Sequence, residues 1–292
     1  MASLQQTGLQ PVLRQTTAVT VLLAACLISA AFAESHKEYR FTVGPNARVS
    51  VDTQFGAVSV RPGSPDRVTV VATLKTDKVE VDRQQNGNRI EIASHLLPGS
   101  SLESGQIDYE LLVPPDATVN VRSASGPISA EHLQGDLTLE GPDAMIDVRD
   151  VKNGHVHVRT MRGPITLTDV SNGHVEIESI SGDLHMNAVT GPLVQATSSS
   201  GKIVYDGNFG SEGNYKFATH TGDIVALVPA NVSADFKAHS VIGRVQHDFP
   251  LKAQQHSYLP PDAARSFFGT MGQAASEVVL RSFSGRIRLK QR

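Results

Sequence analysis

A glycine that recurs at nearly constant spacing is the sequence feature that most constrains the fold of this chain. The intervals between successive members of the series are 9, 9, 10, 9, 10, 9, 9 and 10 residues, so two half-repeats make a unit of about 19 residues. Units of this length are typical of solenoids, in which each unit buries its apolar face against the next one. The series consists of Gly126, Gly135, Ala144 in place of a glycine, Gly154, Gly163, Gly173, Gly182, Gly191 and Gly201.

Apolar and polar residues alternate after these glycines. In one half-repeat the second residue after the glycine is always Ile or Leu, and another apolar residue follows two positions later. This period of two predicts a short strand with one buried face. Stacking of equivalent positions would then enclose ladders of Ile and Val between two sheets. We therefore predict an all-β fold, a parallel β-solenoid with two short strands per rung.

The glycines are expected at the corners between strands, because glycine adopts a positive φ without steric cost. Asn153 and Asn172, each directly before a glycine, fit this expectation because Asn also tolerates the left-handed region. The half-repeat that begins at Gly191 departs from the pattern, since Gln195 stands where an apolar residue is expected. That departure predicts a bulge or a shifted register.

The array divides the chain into four segments. Residues 1–33 have the properties of a signal peptide, residues 34–122 contain short β-branched runs typical of strands, and residues 123–230 form the glycine-phased array. Residues 231–292 resume the motif at Gly243 and Gly285, with residues 250–276 between these as a predicted loop or short helix that caps the solenoid. We expect residues 34–292 to form one continuous domain.

The N-terminus predicts export. An uncharged run over residues 16–33 follows Arg14 and ends in a small-x-small sequence, so we expect cleavage after Ala33. An alternative is lipid attachment at Cys26, which lies in a sequence similar to a lipoprotein box. No later segment is apolar enough to predict a transmembrane span in the mature chain. The mature protein is therefore expected in the periplasm, at the cell surface or in the medium.

Composition excludes several functional classes. Removal of Arg14 takes the formal net charge from −3 to −4, which does not favour nucleic-acid binding. Cys26 is the only cysteine, so cleavage after Ala33 leaves no thiol for a disulfide or for catalysis. Tryptophan is absent and aromatics make up 5% of the chain, so the core must consist largely of Val, Ile, Leu and Ala, which suits a narrow interior.

The chain resembles a known bacterial family. The relevant residues are Tyr-Glu-Leu-Leu-Val-Pro-Pro-Asp-Ala at 109–117, Ser-Ala-Ser-Gly-Pro-Ile at 123–128, the glycine array and Ser-Gly-Arg-Ile at 284–287. Together they are similar to the "putative adhesin" domain-of-unknown-function family, over residues from about 39 to 287. The resemblance implies a repeat fold and attachment at a surface, and it brings no catalytic or binding residues with it.

Two pairs of side chains are candidates for a metal site. Because stacked strands lie about 4.8 Å apart, the predicted register places His155 beside His174 and His157 beside Glu176. Two imidazoles and a carboxylate at such spacing can hold a divalent metal. Polar residues are also what any solvated sheet face carries, and we predict neither a metal site nor another cofactor.

Acidic and hydroxyl residues near the corners are the candidates for catalysis. Asp150 and Asp169 lie one unit apart, an arrangement that polysaccharide-cleaving β-helices can use, but Asp also satisfies backbone amides in tight turns. Ser125 before Gly126 is similar to a nucleophile elbow, although a strand follows where that motif needs a helix. We therefore predict no catalytic residues and no enzymatic activity.

The expected function is that of an exported structural, adhesive or ligand-binding module at the bacterial cell envelope. The expected partner is a cell-surface polymer or an envelope protein. Two alternatives stay open, a carbohydrate-active β-helix enzyme (polysaccharide lyase or hydrolase) and an envelope-stress signalling module. Fold alone does not separate these classes.

Overall fold

The computed structural model describes residues 34–101, 104–249, 252–253, 262 and 264–292. The predicted signal peptide, its cleavage site after Ala33 and Cys26 lie outside these residues. The first twelve strands are β1 (Ser35–Thr42), β2 (Arg48–Phe55), β3 (Val58–Pro62), β4 (Arg67–Leu74), β5 (Val79–Asn86), β6 (Arg89–Leu96), β7 (Ile107–Val113), β8 (Thr118–Ser125), β9 (Ile128–Glu131), β10 (Leu137–Gly141), β11 (Ile146–Lys152) and β12 (Val156–Thr160).

Thirteen further strands follow. They are β13 (Ile165–Ser171), β14 (His174–Ser179), β15 (Leu184–Asn187), β16 (Leu193–Ser198), β17 (Ile203–Asp206), β18 (Asn214–Thr219), β19 (Ile224–Val228), β20 (Ala234–Ser240), β21 (Val245–His247), β22 (Lys252–Ala253), β23 (Ser266–Met271), β24 (Glu277–Ser282) and β25 (Ile287–Gln291). Within the described part of the chain, no helix is long and apolar enough to cross a bilayer.

The strands form two long sheets, as predicted for a β-solenoid. Sheet A has 12 strands in the order β1-β4-β7-β3-β9-β11-β13-β15-β17-β19-β25-β21. Sheet B has 13 strands in the order β22-β23-β20-β24-β18-β16-β14-β12-β10-β8-β2-β6-β5. Successive strands of the chain alternate between the sheets from β8 to β19, so each rung contributes one strand to each sheet.

The core lies between the sheets and consists of the predicted apolar ladders. Along sheet A, Ile146 pairs with Ile165, Ile165 with Leu184, and Leu184 with Ile203, all parallel and in register. Along sheet B, Leu137 is followed by Val156 and Val175 in the same manner, and all of these side chains are buried. Period-two alternation therefore identified both the strands and the face that each strand buries.

Consecutive stacking stops at both ends of the array. At the N-terminal end, β2 and β3 pair directly with β8 and β9, while β6 and β7 lie on their far side. At the C-terminal end, the last rung, β24 and β25, is inserted between β18–β19 and β20–β21. The order of rungs in space therefore differs from their order in the chain, which a local repeat pattern does not reveal.

Residues 250–276 are not the loop or short helix that we predicted, where the structure describes them. Ser266–Met271 forms β23, which pairs antiparallel with β20, and Lys252–Ala253 forms β22 on its other side. Residues 250–251, 254–261 and 263 lie outside the described residues. Phe267 packs against the core, which explains why an apolar segment here becomes a strand.

The explanation for the glycines also needs correction. Among the array glycines only Gly126 has a left-handed φ, of 120°. The others are required by close packing between rungs: a Cβ on Gly182 would lie closer than 3.0 Å to the carbonyl oxygen of Gly163, and one on Gly163 would meet the carbonyl of Ala144 in the same way. The left-handed residues at these corners include the asparagines, with φ of 65° at Asn153 and 63° at Asn172.

The irregularity at Gln195 is a shift confined to the corner. Strand β16 has no bulge, because Glu176 pairs with Gln195 and Gln195 with Lys216 in continuous parallel register. Pro192 adds one residue between Gly191 and the strand, so Val194 and Ala196 fill the buried positions. Of the two alternatives in the prediction, a bulge is wrong, and the shift affects only the spacing between Gly191 and the strand, not the pairing of β16.

A column of buried hydroxyls runs along one corner and was not predicted. At several corners with a recurring Ser/Thr-x-x-Gly sequence, the hydroxyl oxygen accepts the glycine amide, as in Gly201 N to Ser198 Oγ at 2.9 Å and Gly163 N to Thr160 Oγ1 at 3.0 Å. Each bond satisfies a backbone donor that would otherwise be buried without a partner. Buried members of the column are Thr53, Ser123, Thr160, Ser179, Ser198, Thr219, Ser240 and Ser282.

Candidate binding face on sheet B

The outer face of sheet B presents its polar side chains in straight columns. Because equivalent residues of successive strands pair in register, each outward position continues from rung to rung. One column contains charges of alternating sign, joined by ion pairs from Arg122 to Glu140 at 3.0 Å and from Arg159 to Glu178 at 3.2 Å. Such exposed pairs each contribute about 1 kcal/mol or less to stability. Their main effect is that the opposite charges on this face neutralise each other.

The four metal candidates lie together on this face, as the predicted register requires. The rings of His155 and His174 stack with centroids 4.8 Å apart and an interplanar angle of 3°. His157 Nδ1 lies 3.4 Å from a carboxylate oxygen of Glu176. Across residues 34–292, wherever the structure describes side chains, no three His, Cys, Asp or Glu residues converge as metal ligands. The arrangement is therefore a stacked histidine pair beside a contact between His157 and Glu176.

A ridge of apolar side chains borders the same face at the corner that carries the buried hydroxyls. Met161 and Ile180 are 48% and 50% exposed, and they stack on successive rungs next to Pro142. Between this ridge and the Arg159–Glu178 pair lies a groove of about 500 Å³ that extends across the strands, along the solenoid axis. The ridge arises from the corner sequence, because the residue after each buried Ser or Thr points outward.

A second groove of about 520 Å³ continues the first toward the C-terminal rungs, and both are lined by Thr197. Lys216 and Arg281 line this second groove. Its acidic residue, Glu277, is held 2.6 Å from Lys237 Nζ, and this hydrogen bond lowers the pKa of Glu277. In the described part of the chain, no carboxylate lies within 4.0 Å of Lys216 or Arg281. With two cations and one carboxylate among its lining residues, the C-terminal groove carries a net positive charge, although the charge of Lys216 also acts on Glu277.

The two aspartates considered as catalytic candidates lie at corners, and two further aspartates connect neighbouring rungs. Asp150 and Asp169 adopt left-handed φ of 48° and 55°. Asp183 accepts the amide of Lys202 at 2.8 Å, and Asp223 accepts that of Arg286 at the same distance. Partial burial acts to raise the pKa of Asp223, but the bonds and charge of Arg286 lower it overall. Asp183 and Asp223 therefore join neighbouring rungs.

The serines and C-terminal basic residues also have structural contacts. Ser125 is the last residue of β8, and its carbonyl accepts a hydrogen bond from the buried hydroxyl of Ser123 at 3.1 Å. Arg286 pairs with Asp223 at 3.0 Å and Arg292 with Asp206 at 2.9 Å, so much of the C-terminal charge is paired on sheet A. The two grooves of sheet B escaped the sequence analysis. The recurrence of an apolar residue directly after a corner Ser or Thr would have indicated the first.

Comparison with known proteins identifies a family but not an activity. The family model described as Toastrack DUF4097 matches residues 46–290. No curated protein is significantly similar to the chain.

Solved structures with a similar course of the chain have low sequence identity. They include a putative adhesin from Bacteroides fragilis NCTC 9343 (10% identity, 88% of this chain and 98% of that one, TM-score 0.43). A putative lipid binding protein from Parabacteroides distasonis ATCC 8503 has 7% identity, coverage of 88% and 96%, and a TM-score of 0.37. A putative adhesin from Parabacteroides merdae ATCC 43184 has 10% identity, the same coverage and a TM-score of 0.34.

Proposed function

The chain belongs to the Toastrack DUF4097 family, and on this premise we propose that it is an exported, non-enzymatic binding module of the bacterial cell envelope. The proposed binding surface is the outer face of sheet B, and its partner is a component of the envelope, either a surface polymer or an envelope protein. Adhesion is one use of such a module.

One observation carries this proposal: sheet B has a long outer face on which two adjoining grooves cross successive rungs. The grooves share Thr197 and are lined by residues from β10 to β24. A groove that crosses strands suits an extended ligand, because each rung adds a similar surface at about 4.8 Å intervals. The apolar ridge beside it exposes more hydrocarbon than a solvated sheet corner needs.

Pairing of the charged side chains supports a binding role over a catalytic one. Arg159 forms an ion pair with Glu178, and Asp223 forms one with Arg286, while His157 lies 3.4 Å from Glu176. A glycosidase or lyase instead needs acidic or basic groups that converge on a reacting bond. The proposal therefore places the function in recognition. Release of product from an envelope polysaccharide would contradict it.

Export rests on the sequence pattern of residues 16–33. We expect Glu34 as the N-terminus of the mature protein, with a lipid-modified Cys26 as the alternative. Mass spectrometry of the protein recovered from the cell distinguishes these two forms. A chain that retains residues 1–33 inside the cell would contradict export.

Capture of envelope components tests the proposal. The 25 strands that the structure describes lie within residues 35–291, so a protein of residues 34–292 keeps each of their pairings. We expect immobilised protein to retain material from an isolated envelope fraction, without release of soluble sugars from it. Lack of retention would contradict binding. Retention by a heat-unfolded sample to the same degree would also contradict it.

A further inference from the structure

We propose that the two grooves of sheet B together bind a single-chain anionic amphiphile. Its apolar chain lies in the first groove, beside Met161 and Ile180, and its acidic headgroup lies at Lys216 and Arg281 in the second. This inference rests on the proposed function and names the chemical class of its ligand.

The floor of the first groove favours a hydrocarbon occupant. Its backbone amides already bond to neighbouring rungs, as in Met161 N to Pro142 O at 3.0 Å and Ser181 N to Met161 O at 2.8 Å. The hydroxyl of Ser179 donates inward to the Gly182 carbonyl at 3.1 Å. A sugar or a peptide backbone would lose its bonds to water here and find few free partners. An acyl chain needs none.

The walls of this groove lead to the same conclusion. On one side the guanidinium of Arg159 is engaged with Glu178 at 3.2 Å, so its charge is already balanced. On the other side Met161 and Ile180 are half exposed. A hydrocarbon chain that covers them removes apolar surface from water, which is favourable. The first groove therefore favours a hydrocarbon chain over a charged group.

The second groove has the opposite character. Lys216 lies on β18 and Arg281 on β24, which are adjacent strands, so one acidic group can contact both cations. Glu277 does not neutralise them by direct contact, because its nearest cation is Lys237 at 2.6 Å. Charge complementarity thus favours a negative headgroup at this end.

The distance between the two ends suits a single chain. The first groove crosses β10, β12, β14 and β16, and the cations follow on the next two strands. At about 4.8 Å per strand, the groove is roughly 14 Å long and the cations lie within roughly 24 Å of its start. The ligand therefore runs along the solenoid axis, with its headgroup toward the C-terminal rungs.

Calorimetric titration of the protein of residues 34–292 with dodecanoate, below its micelle concentration, tests the inference. Dodecyl glucoside has the same chain without the charge, and butyrate has the charge without the chain. We expect dodecanoate to bind at least tenfold more tightly than either. Ile180→Ser should weaken dodecanoate binding about tenfold, and Lys216→Gln with Arg281→Gln should remove the preference over dodecyl glucoside.

Matched controls lie outside the grooves. Met145 is 55% exposed but does not line the first groove, and Lys290 is exposed on sheet A. Met145→Ser and Lys290→Gln should leave dodecanoate binding unchanged. Equal losses in controls and groove variants would overturn the inference, and so would undiminished binding in the groove variants. If the protein captures envelope components but does not bind dodecanoate, the inference is wrong and the proposed function stands. If it does neither, the proposed function is wrong as well.

Discussion

At the residue scale, the fold depends on positions where a side chain must be absent. The array glycines are read from the sequence at once, but the expected reason, a positive φ, holds only for Gly126. Their common property is that a Cβ would meet the backbone of the neighbouring rung. Sequence spacing locates these glycines. The reason why glycine is required there is a contact between residues a full unit apart, which the spacing does not reveal.

Substitution of Gly182 tests this explanation. Gly182→Ala should destabilise the protein by about 3 kcal/mol, the upper end of the usual cost of overpacking, because the opposing atom is backbone and cannot rotate away. Chemical denaturation measures the change. Gly87→Asn is the control, since nothing lies within 4 Å of its Cβ position and Asn tolerates its φ of 57°. Equal effects of the two substitutions would refute the close-packing explanation.

The exceptional pair Gly141 and Ala144 offers a second test. Here the corner lacks both the Ser or Thr and the glycine of the other rungs, and a Cβ on Gly141 would lie 2.5 Å from the Cβ of Ala144. We expect Gly141→Ser to destabilise the protein less in an Ala144→Gly background than alone. A double-mutant cycle should show a coupling of about 1 kcal/mol. Additive effects would show that the two departures are independent.

At the element scale, neighbouring strands are joined by side chains at the corners as well as by their hydrogen bonds. The aspartates after corner glycines accept an amide of the next rung, as Asp223 does from Arg286 across β19 and β25. Strand positions and buried faces followed from period-two alternation. The pairing of β19 with β25 did not, because the two strands are separated by some 60 residues in which other strands also fit the pattern.

The Asp223–Arg286 contact predicts a pH dependence of stability. The pKa of Asp223 in the folded chain is below its ordinary value of 3.8, so ionised Asp223 stabilises the fold above that value. This contribution declines as the pH falls below 3.8 toward the folded pKa. The difference in melting temperature between wild type and Asp223→Asn should therefore be larger at about pH 6 than at about pH 2.5.

Arg286→Gln removes the same ion pair from the other side. In the Arg286→Gln background, Asp223→Asn should therefore change the melting temperature less than it does in the wild type, over the same pH range. A difference between wild type and Asp223→Asn that is constant with pH would contradict the assignment.

At the scale of the whole molecule, the array behaves as a one-dimensional stack whose ends are rearranged. The solenoid class was predictable, since it follows from the repeat over residues 123–230. The inserted rung β24–β25 and the outer position of β6–β7 were not, because they depend on which strand covers each end. The binding face was missed for a related reason: its grooves combine outward residues from six strands, and no single rung contains the pattern.

Removal of one complete rung tests the stack. Deletion of residues 165–183 joins Pro164 to Leu184 and places Leu184 in the position of Ile165. We expect a folded β protein with a cooperative transition and a modestly lower melting temperature, because each rung contacts only its neighbours.

Deletion of residues 174–183 is the matched control, since it removes one strand and assigns every later strand to the wrong sheet. This protein should not fold cooperatively. Circular dichroism with thermal unfolding separates the cases, and similar behaviour of both deletions would contradict alternating stacking.

The most direct test of the account is to block each face of the solenoid in turn. Residues 34–292 contain no cysteine, so Thr197→Cys and Asn187→Cys each introduce one labelling site, exposed on sheet B and sheet A respectively. After attachment of a polyethylene glycol chain, capture of the envelope fraction should be lost with the label at position 197 and retained with the label at 187. Retention with both labels, or loss only with the label at 187, would contradict the assignment of binding to the outer face of sheet B.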